Sequence, residues 1–161
     1  MTTPVPGGLL DRFVARLIDS ILVAIIDVVV TYLIVVGVSM GSSDVGSSYA
    51  AGAALAVIAI AVSLGYFSYL EHTRGQTVGK MLLRLQTFGP AGGNPSVAEA
   101  VKRNSYILLG LLGLIPVIGW TATLASLAAI IAIAVTIYRD TVNRQGWHDR
   151  FAGGTQVLKI G

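Results

Sequence analysis

Charged residues leave long apolar gaps along the chain, and these gaps predict its helices. The first apolar segment, residues 13–38, is interrupted only by Arg16, Asp19 and Asp27. Residues 45–70 carry no charge at all. Both segments exceed the roughly 20 residues that a membrane-spanning helix needs. Each is therefore predicted to cross a bilayer once.

The third gap, residues 104–138, is too long for one helix. Pro116 and Gly119 lie near its middle, where they favour a tight turn between two helices. Ser96 with Glu99 three residues later has the pattern of a capping box at a helix start. The pattern predicts a single-domain, all-α membrane protein with four transmembrane helices, at residues 13–38, 49–70, 97–115 and 120–138.

The basic residues orient these helices. With four spans, all eleven Lys and Arg side chains fall on the side of both termini. They lie at the starts of spans one and three, in the loop 71–96 or in the tail 139–161, whereas Asp44 is the only charge on the opposite side. In membrane proteins, Lys and Arg are more frequent in the cytoplasmic loops than in the loops on the opposite side. We therefore expect a multi-pass protein of the bacterial plasma membrane with both termini cytoplasmic.

The composition supports a lipid environment. Hydrophobic residues make up 54% and charged residues 12% of the 161 residues, with a mean hydropathy of +0.76. Soluble domains carry roughly 25% charged residues. This disfavours a soluble enzyme, a disordered chain and a nucleic-acid-binding protein, and it makes the lipid bilayer the expected partner. The chain has no cysteine, so it has no disulfide framework.

One face of the first span is polar. At 100° per residue, its polar side chains share an arc of about 120°. Exposing these polar side chains to lipid is energetically unfavourable, so the arc should face other helices or a water-filled cavity. The arc contains Arg12, Arg16, Asp19, Ser20, Asp27 and Thr31.

Asp27 lies about 12 Å deeper in the span than Asp19, at 1.5 Å per residue. No basic residue is predicted at that depth. A carboxylate there is either a proton or cation site, or a protonated side chain that holds helices together. The sequence leaves both alternatives open.

The loop 71–96 and the tail 139–161 show no clear pattern of a nucleotide-binding or metal-binding site. Gly75, Gly79 and Lys80 resemble a phosphate-binding loop, but the glycine spacing is one residue too short and Met81 lacks the required hydroxyl. Two histidines are too few for a zinc site. We predict no metal and no cofactor. The pattern over residues 81–88 fits an extended strand or an amphipathic interfacial segment. Residues 155–160 alternate similarly, so a short two-strand element on the cytoplasmic side is one hypothesis.

Three segments together resemble the RDD family of small bacterial membrane proteins, named after one arginine and two aspartates. The first segment is Arg12-Phe-Val-Ala15-Arg-Leu-Ile18-Asp19. The second is Gly75-Gln-Thr-Val-Gly79-Lys80, followed later by Arg103-Asn104. The third is Arg144-Gln-Gly-Trp-His148-Asp149-Arg-Phe-Ala152-Gly153. The resemblance covers the chain from about Leu9 to Ile160.

The resemblance implies that the charge cluster Arg12, Asp19 and Asp149 is the family motif. It also implies supporting roles for Gly75, Gly79, Lys80, Arg103, Asn104 and His148. This chain departs from the pattern by the added charge of Arg16 and by the pair Gly153-Gly154. Asp27 is not part of the family pattern.

Two functions remain open. Some members of the family are linked to cation transport or antiport, which implies transport of cations, protons or small solutes here, through a homo-oligomer. The alternative is a non-enzymatic accessory or scaffolding subunit of a larger membrane complex, because runs of alanine and glycine let helices approach closely. No nucleophile–base pair, metal set or cofactor fingerprint is found in the sequence, so we do not expect an enzyme.

Overall fold

The computed structural model describes residues 4–39 and 49–160. The predicted outer loop with Asp44 lies outside these ranges. In chain order the elements are β1 Val5–Pro6, α1 Leu9–Ser39, α2 Tyr49–Arg74, α3 Val78–Leu82, β2 Leu85–Phe88, α4 Val97–Asn104, the 3₁₀ helix Ser105–Leu114, α5 Thr121–Arg139, α6 Trp147–Phe151 and β3 Gln156–Lys159.

Among the described residues, three helices are long and apolar enough to cross a membrane: α1, α2 and α5. They correspond to the first, second and fourth predicted spans. Only 6% of the most apolar window of each helix is buried within the chain. Their apolar side chains therefore point outward, as is expected of helices surrounded by lipid.

The third predicted span has a different structure. The expected helix over residues 97–115 is divided into α4, with eight residues, and the ten-residue 3₁₀ helix that follows it. Gly110 and Gly113 lie within the second part, where glycine lowers the preference for an α-helix. The predicted turn between the third and fourth spans is present at residues 116–120. The capping box is also confirmed, because Ser96 and Glu99 exchange hydrogen bonds.

A small antiparallel sheet lies at one end of the long helices. Its strand order is β1-β3-β2, with Leu85 opposite Lys159 and Phe88 opposite Gln156. The two-strand element predicted from the sequence is thus confirmed. The pairing of β1 with β3, which aligns Val5 with Lys159, is an addition that the sequence pattern did not predict.

The sheet packs on the helix ends through a compact apolar contact of Ala15, Leu85 and Val157. We use the name polar base for the layer formed by the sheet, α3, α4 and α6. Most of the buried charged and polar side chains of the described residues lie in or against this layer. The fold therefore separates an apolar helical part from a charged base.

Candidate functional site

Asp149 lies between two arginines in the polar base. Its Oδ1 is 2.7 Å from Arg103 Nε, and its Oδ2 is 3.3 Å from Arg12 Nη1. The backbone N–H of Gly146 and the hydroxyl of Thr155 also donate to this fully buried carboxylate. Burial alone would raise the pKa of Asp149, but the surrounding charges, Arg103 first, outweigh burial and hold the pKa well below its ordinary value. Asp149 is therefore an anion.

Glu71 is the second carboxylate of the network and lies in the last turn of α2. Its Oε1 accepts from Arg103 Nη1 at 2.6 Å and from Lys80 Nζ at 2.5 Å. Its Oε2 accepts from Asn104 Nδ2 at 3.1 Å. Arg103 thus bridges Glu71 and Asp149, and it connects α2, α4 and α6 through charge-assisted hydrogen bonds.

Lys80 is buried inside this network. Its ammonium group also donates to the Thr87 hydroxyl at 2.8 Å. Burial and the charge of Arg103 lower the pKa of Lys80 to about 8, although Glu71 opposes them. The ammonium group of Lys80 thus binds Glu71 and Thr87 within the polar base. A phosphate-binding lysine would instead direct this group towards a ligand.

Arg12 joins the two termini of the described chain. Besides Asp149, its guanidinium group donates to the backbone carbonyls of Gly7 and Val157, each at 3.2 Å. Arg12 and Asp149, two members of the predicted motif cluster, therefore form an ion pair. It connects the start of α1 with α6 and β3.

Asp19, the other acidic residue of the family motif, lies apart from the Arg12–Asp149 contact. Its Oδ1 accepts from the Tyr66 hydroxyl and the Gly79 backbone N–H, both at 2.8 Å. Its Oδ2 accepts from the Thr77 hydroxyl at 2.5 Å. Asp19 therefore positions the start of α3, where a carboxylate also interacts well with the free N–H groups of a helix.

Gly79 makes the close contact between α3 and α1 possible. A Cβ atom at this position would lie 2.1 Å from the backbone oxygen of Ala15 and 3.0 Å from Asp19 Oδ2. Gly75 has a similar role in the preceding turn, where its φ is +67° and a Cβ would lie 2.7 Å from Asn94 Oδ1. Both motif glycines therefore have a steric reason to lack a side chain.

Arg16, the basic residue added to the family pattern, contacts an amide and an aromatic ring instead of a carboxylate. Its Nη1 donates to Asn104 Oδ1 at 3.2 Å, and its guanidinium carbon lies 3.4 Å from the centre of the Phe67 ring. In the part of the chain that the structure describes, no carboxylate lies within 4.0 Å of this side chain. Although Arg16 and Asp19 have the i, i+3 spacing of helical ion pairs, Asp19 accepts from neutral donors instead.

His148 packs beside Asp149, with Nε2 3.6 Å from Asp149 Oδ1. Burial lowers the pKa of His148 to about 4, against the attraction of Asp149. The imidazole is therefore neutral near pH 7. Its Nδ1 is buried and has no hydrogen-bond partner among the described residues.

Asp27 lies in the middle of α1, away from the polar base. Its Oδ1 is buried and, within the described ranges, has no hydrogen-bond partner. The geometry neither pairs Asp27 with a base nor places it in a metal-binding group, since no such group of His, Cys, Asp or Glu occurs among the described residues.

A cavity of about 380 Å³ lies above the polar base, between α1 and α5. Its size is within the roughly 300–1,000 Å³ that small-molecule pockets occupy. The polar arc of α1 was expected to face helices or a wet cavity, and four of its members line this cavity: Arg12, Arg16, Asp19 and Ser20. Lys80, Arg103, Asn104 and His148 contribute the rest of the motif side chains on its wall.

Sequence reasoning missed Glu71, which it treated only as the first residue of the loop. A signal was available, because Glu71 is the only acidic residue between Asp44 and Glu99, at the end of an apolar span. The hydroxyl partners Tyr66, Thr77 and Thr87 had no comparable signal. Their roles depend on which helix ends the fold brings together.

Comparison with known proteins identifies one family. The model of the RDD family matches residues 6–153, which is most of the chain. No curated protein and no solved structure matches the chain.

Proposed function

The chain belongs to the RDD family, and from this premise we propose that it moves a small solute across a membrane. The cavity between α1 and α5 is the proposed binding site of that solute. In this proposal the polar base lies in the cytoplasm of a bacterial cell, as the distribution of basic residues favours. The protein is not an enzyme in this proposal.

The observation that carries the proposal is the position of the polar arc on α1. The half of the arc nearest the polar base lines a cavity of solute size, although Asp19 and Arg16 also contact α2. Polar and ionisable side chains inside membrane segments are costly and typically line solute or ion pathways.

Asp27 is the proposed proton or cation site of the same pathway. It continues the arc on α1, about 10 Å beyond Ser20 at 1.5 Å per residue. Its unpartnered Oδ1 supports this assignment. Because the long helices bury little of their surface against each other, we propose that several copies assemble to complete the pathway.

Flux through proteoliposomes containing the purified protein tests the proposal. We expect the parent protein to increase sodium or proton flux, and Asp27→Asn to reduce it. Asp11→Asn is the matched control, since Asp11 lies on α1 outside the polar arc and pairs with Lys159. Its flux should equal that of the parent.

Asp19→Asn is the second variant, with size-exclusion chromatography as the check that it remains folded. The proposal is rejected if the parent gives no flux above empty liposomes. It is also rejected if folded Asp27→Asn and Asp19→Asn both retain the parental flux.

A further inference from the structure

The charge on the cavity wall is unbalanced. Four basic side chains line it, Arg12, Arg16, Lys80 and Arg103, together with the carboxylates of Asp19 and Glu71. Asp149 adds a third carboxylate behind the wall, where it binds Arg12 and Arg103. Three of these cations share two carboxylates, since Arg12, Lys80 and Arg103 form their salt bridges with Glu71 and Asp149.

Arg16 is the one cavity-lining cation without a salt bridge among the described residues, because Asp19 accepts from neutral donors. Arg12, Lys80 and Arg103 each form a salt bridge with a carboxylate, whereas Arg16 donates one hydrogen bond to the neutral Asn104 side chain. A guanidinium group has five N–H donors in a planar fork that suits carboxylate and phosphate oxygens. The guanidinium carbon of Arg16 lies 3.4 Å from the centre of the Phe67 ring and 5.4 Å from that of the Tyr106 ring, so the group is held beside two aromatic rings. The cavity therefore presents an oriented guanidinium group that lacks an anion.

The other side of the cavity is apolar and continuous with the outer surface of the helices. Phe13 and Leu17 of α1 and Ile130 of α5 line it, yet they are 59%, 49% and 49% exposed. In a bilayer these exposed side chains face acyl chains. A ligand whose charged group contacts Arg16 can thus extend an apolar tail between α1 and α5 into the lipid.

We propose that the cavity binds an anionic phospholipid, with the phosphate group at Arg16 and the acyl chains leaving between α1 and α5. Basic pockets between membrane helices on the cytoplasmic side bind anionic headgroups in this way. The proposal goes beyond the proposed function, because it assigns a bound lipid to the same cavity. It rests on the cavity as a ligand site, but it does not need flux to occur.

Native mass spectrometry of the detergent-purified, delipidated protein tests this assignment. The probes are dioleoyl phosphatidylglycerol, the zwitterionic dioleoyl phosphatidylcholine with the same acyl chains, and inorganic phosphate. We expect the first to bind more tightly than the second. We expect Arg16→Gln to weaken phosphatidylglycerol binding by about tenfold or more, as loss of one charge-assisted contact predicts.

Two further variants separate this site from general attraction to a basic surface. Lys102→Gln removes an exposed basic residue that does not line the cavity, and it should bind phosphatidylglycerol like the parent. Ala134→Phe keeps every charge but fills the cavity wall, and it should weaken binding as Arg16→Gln does. A melting curve of each variant confirms that it is folded.

Equal binding of the two lipids overturns the proposal, and so does unchanged phosphatidylglycerol binding by Arg16→Gln and Ala134→Phe. Displacement of the lipid by millimolar inorganic phosphate would assign the cavity to a soluble phosphate compound instead. If lipid binding fails while proteoliposome flux persists, only this inference is lost. If flux is absent while specific lipid binding remains, only the transport proposal is lost.

Discussion

Asp149 lies between two buried guanidinium groups. Its replacement by alanine removes the salt-bridge partner of Arg12 and leaves Arg103 with Glu71 alone. Removing one partner of a buried ion pair costs about 3–5 kcal/mol. We therefore expect Asp149→Ala to lower the free energy of unfolding by about that amount. The melting temperature of the purified protein in detergent measures it. Lys159→Gln is the control, because the exposed pair of Lys159 and Asp11 should contribute less than about 1 kcal/mol.

Direct pairing of Arg12 with Asp149 makes their substitutions non-additive. We expect the double variant Arg12→Ala/Asp149→Ala to be less destabilised than the sum of the single variants, by about 0.5–3 kcal/mol. Losses that simply add would show that the two side chains stabilise the protein independently, contrary to the 3.3 Å contact.

His148 makes the stability depend on pH. Burial lowers its pKa from 6.5 to about 4, so below pH 6.5 the unfolded chain takes up a proton that the folded protein does not. The destabilisation therefore begins near pH 6.5 and grows as the pH falls towards 4. Asp149, Arg103 and Arg12 surround the ring, and all three keep their charges over this range.

We expect a loss of about 2 kcal/mol of stability at pH 5 relative to neutral pH. Melting curves of the parent protein between pH 7 and pH 5 measure this loss. His148→Gln should flatten the dependence. An identical pH dependence in the parent and in His148→Gln would contradict the assignment to His148.

At the residue scale, the sequence predicted the local capping box of Ser96 and Glu99, but it did not determine contacts between distant elements. Arg12 and Asp149 were both placed in the motif cluster, but the sequence left the partner of Asp149 open among Arg12, Arg16 and Arg150. Arg103 and Glu71 complete the network only because the end of α2 meets α4 and α6. A linear pattern contains no information about which basic residue reaches which buried carboxylate.

The helix α3 has a fixed separation from α1, and Gly79 sets it. Alanine at this position would place a Cβ atom 2.1 Å from the backbone oxygen of Ala15. The backbone has no rotamer that relieves this contact, so α3 would have to move away from Asp19. We expect Gly79→Ala to destabilise the protein by at least about 3 kcal/mol, as measured by its melting temperature.

Gly65→Ala provides the matched control for this element. Gly65 lies in α2, and a Cβ atom there would meet nothing within 4 Å. Its substitution should change the stability by no more than about 1 kcal/mol, because only the helix preference changes. A similar loss in both variants would show that the close approach to Ala15 is unimportant.

Elements with a strong period were predictable, and elements that depend on partners were not. The apolar gaps predicted α1, α2 and α5 because a run of about 20 apolar residues has few alternatives. The two-residue strand β1 is too short to have a periodic pattern. It forms because it pairs with the free edge of β3. The 3₁₀ helix likewise has the composition of the helices beside it, and only its two glycines distinguish it.

The sheet restricts how the whole molecule can cross a bilayer. Strand β3, near the C-terminal end, pairs with β1 before the first helix and with β2 after the second. All three strands therefore lie on one side of the membrane. If α1, α2 and α5 each cross once, the chain between β2 and α5 must also cross. The 3₁₀ helix spans only about 20 Å at 2.0 Å per residue, so this crossing would be the shortest.

Single cysteines in this cysteine-free chain test the four-span topology and its orientation. We expect Ala91→Cys and Asn143→Cys to react with an impermeant maleimide only in inverted membrane vesicles. Val117→Cys, in the turn before α5 and 82% exposed, should react only in right-side-out spheroplasts.

Labelling of Val117→Cys and Ala91→Cys from the same side would mean that the 3₁₀ segment does not cross. Because the sheet keeps Ala91 and Asn143 together, that result would also remove α5 from the bilayer. A complete reversal of the pattern would keep the four spans but place the polar base outside the cell.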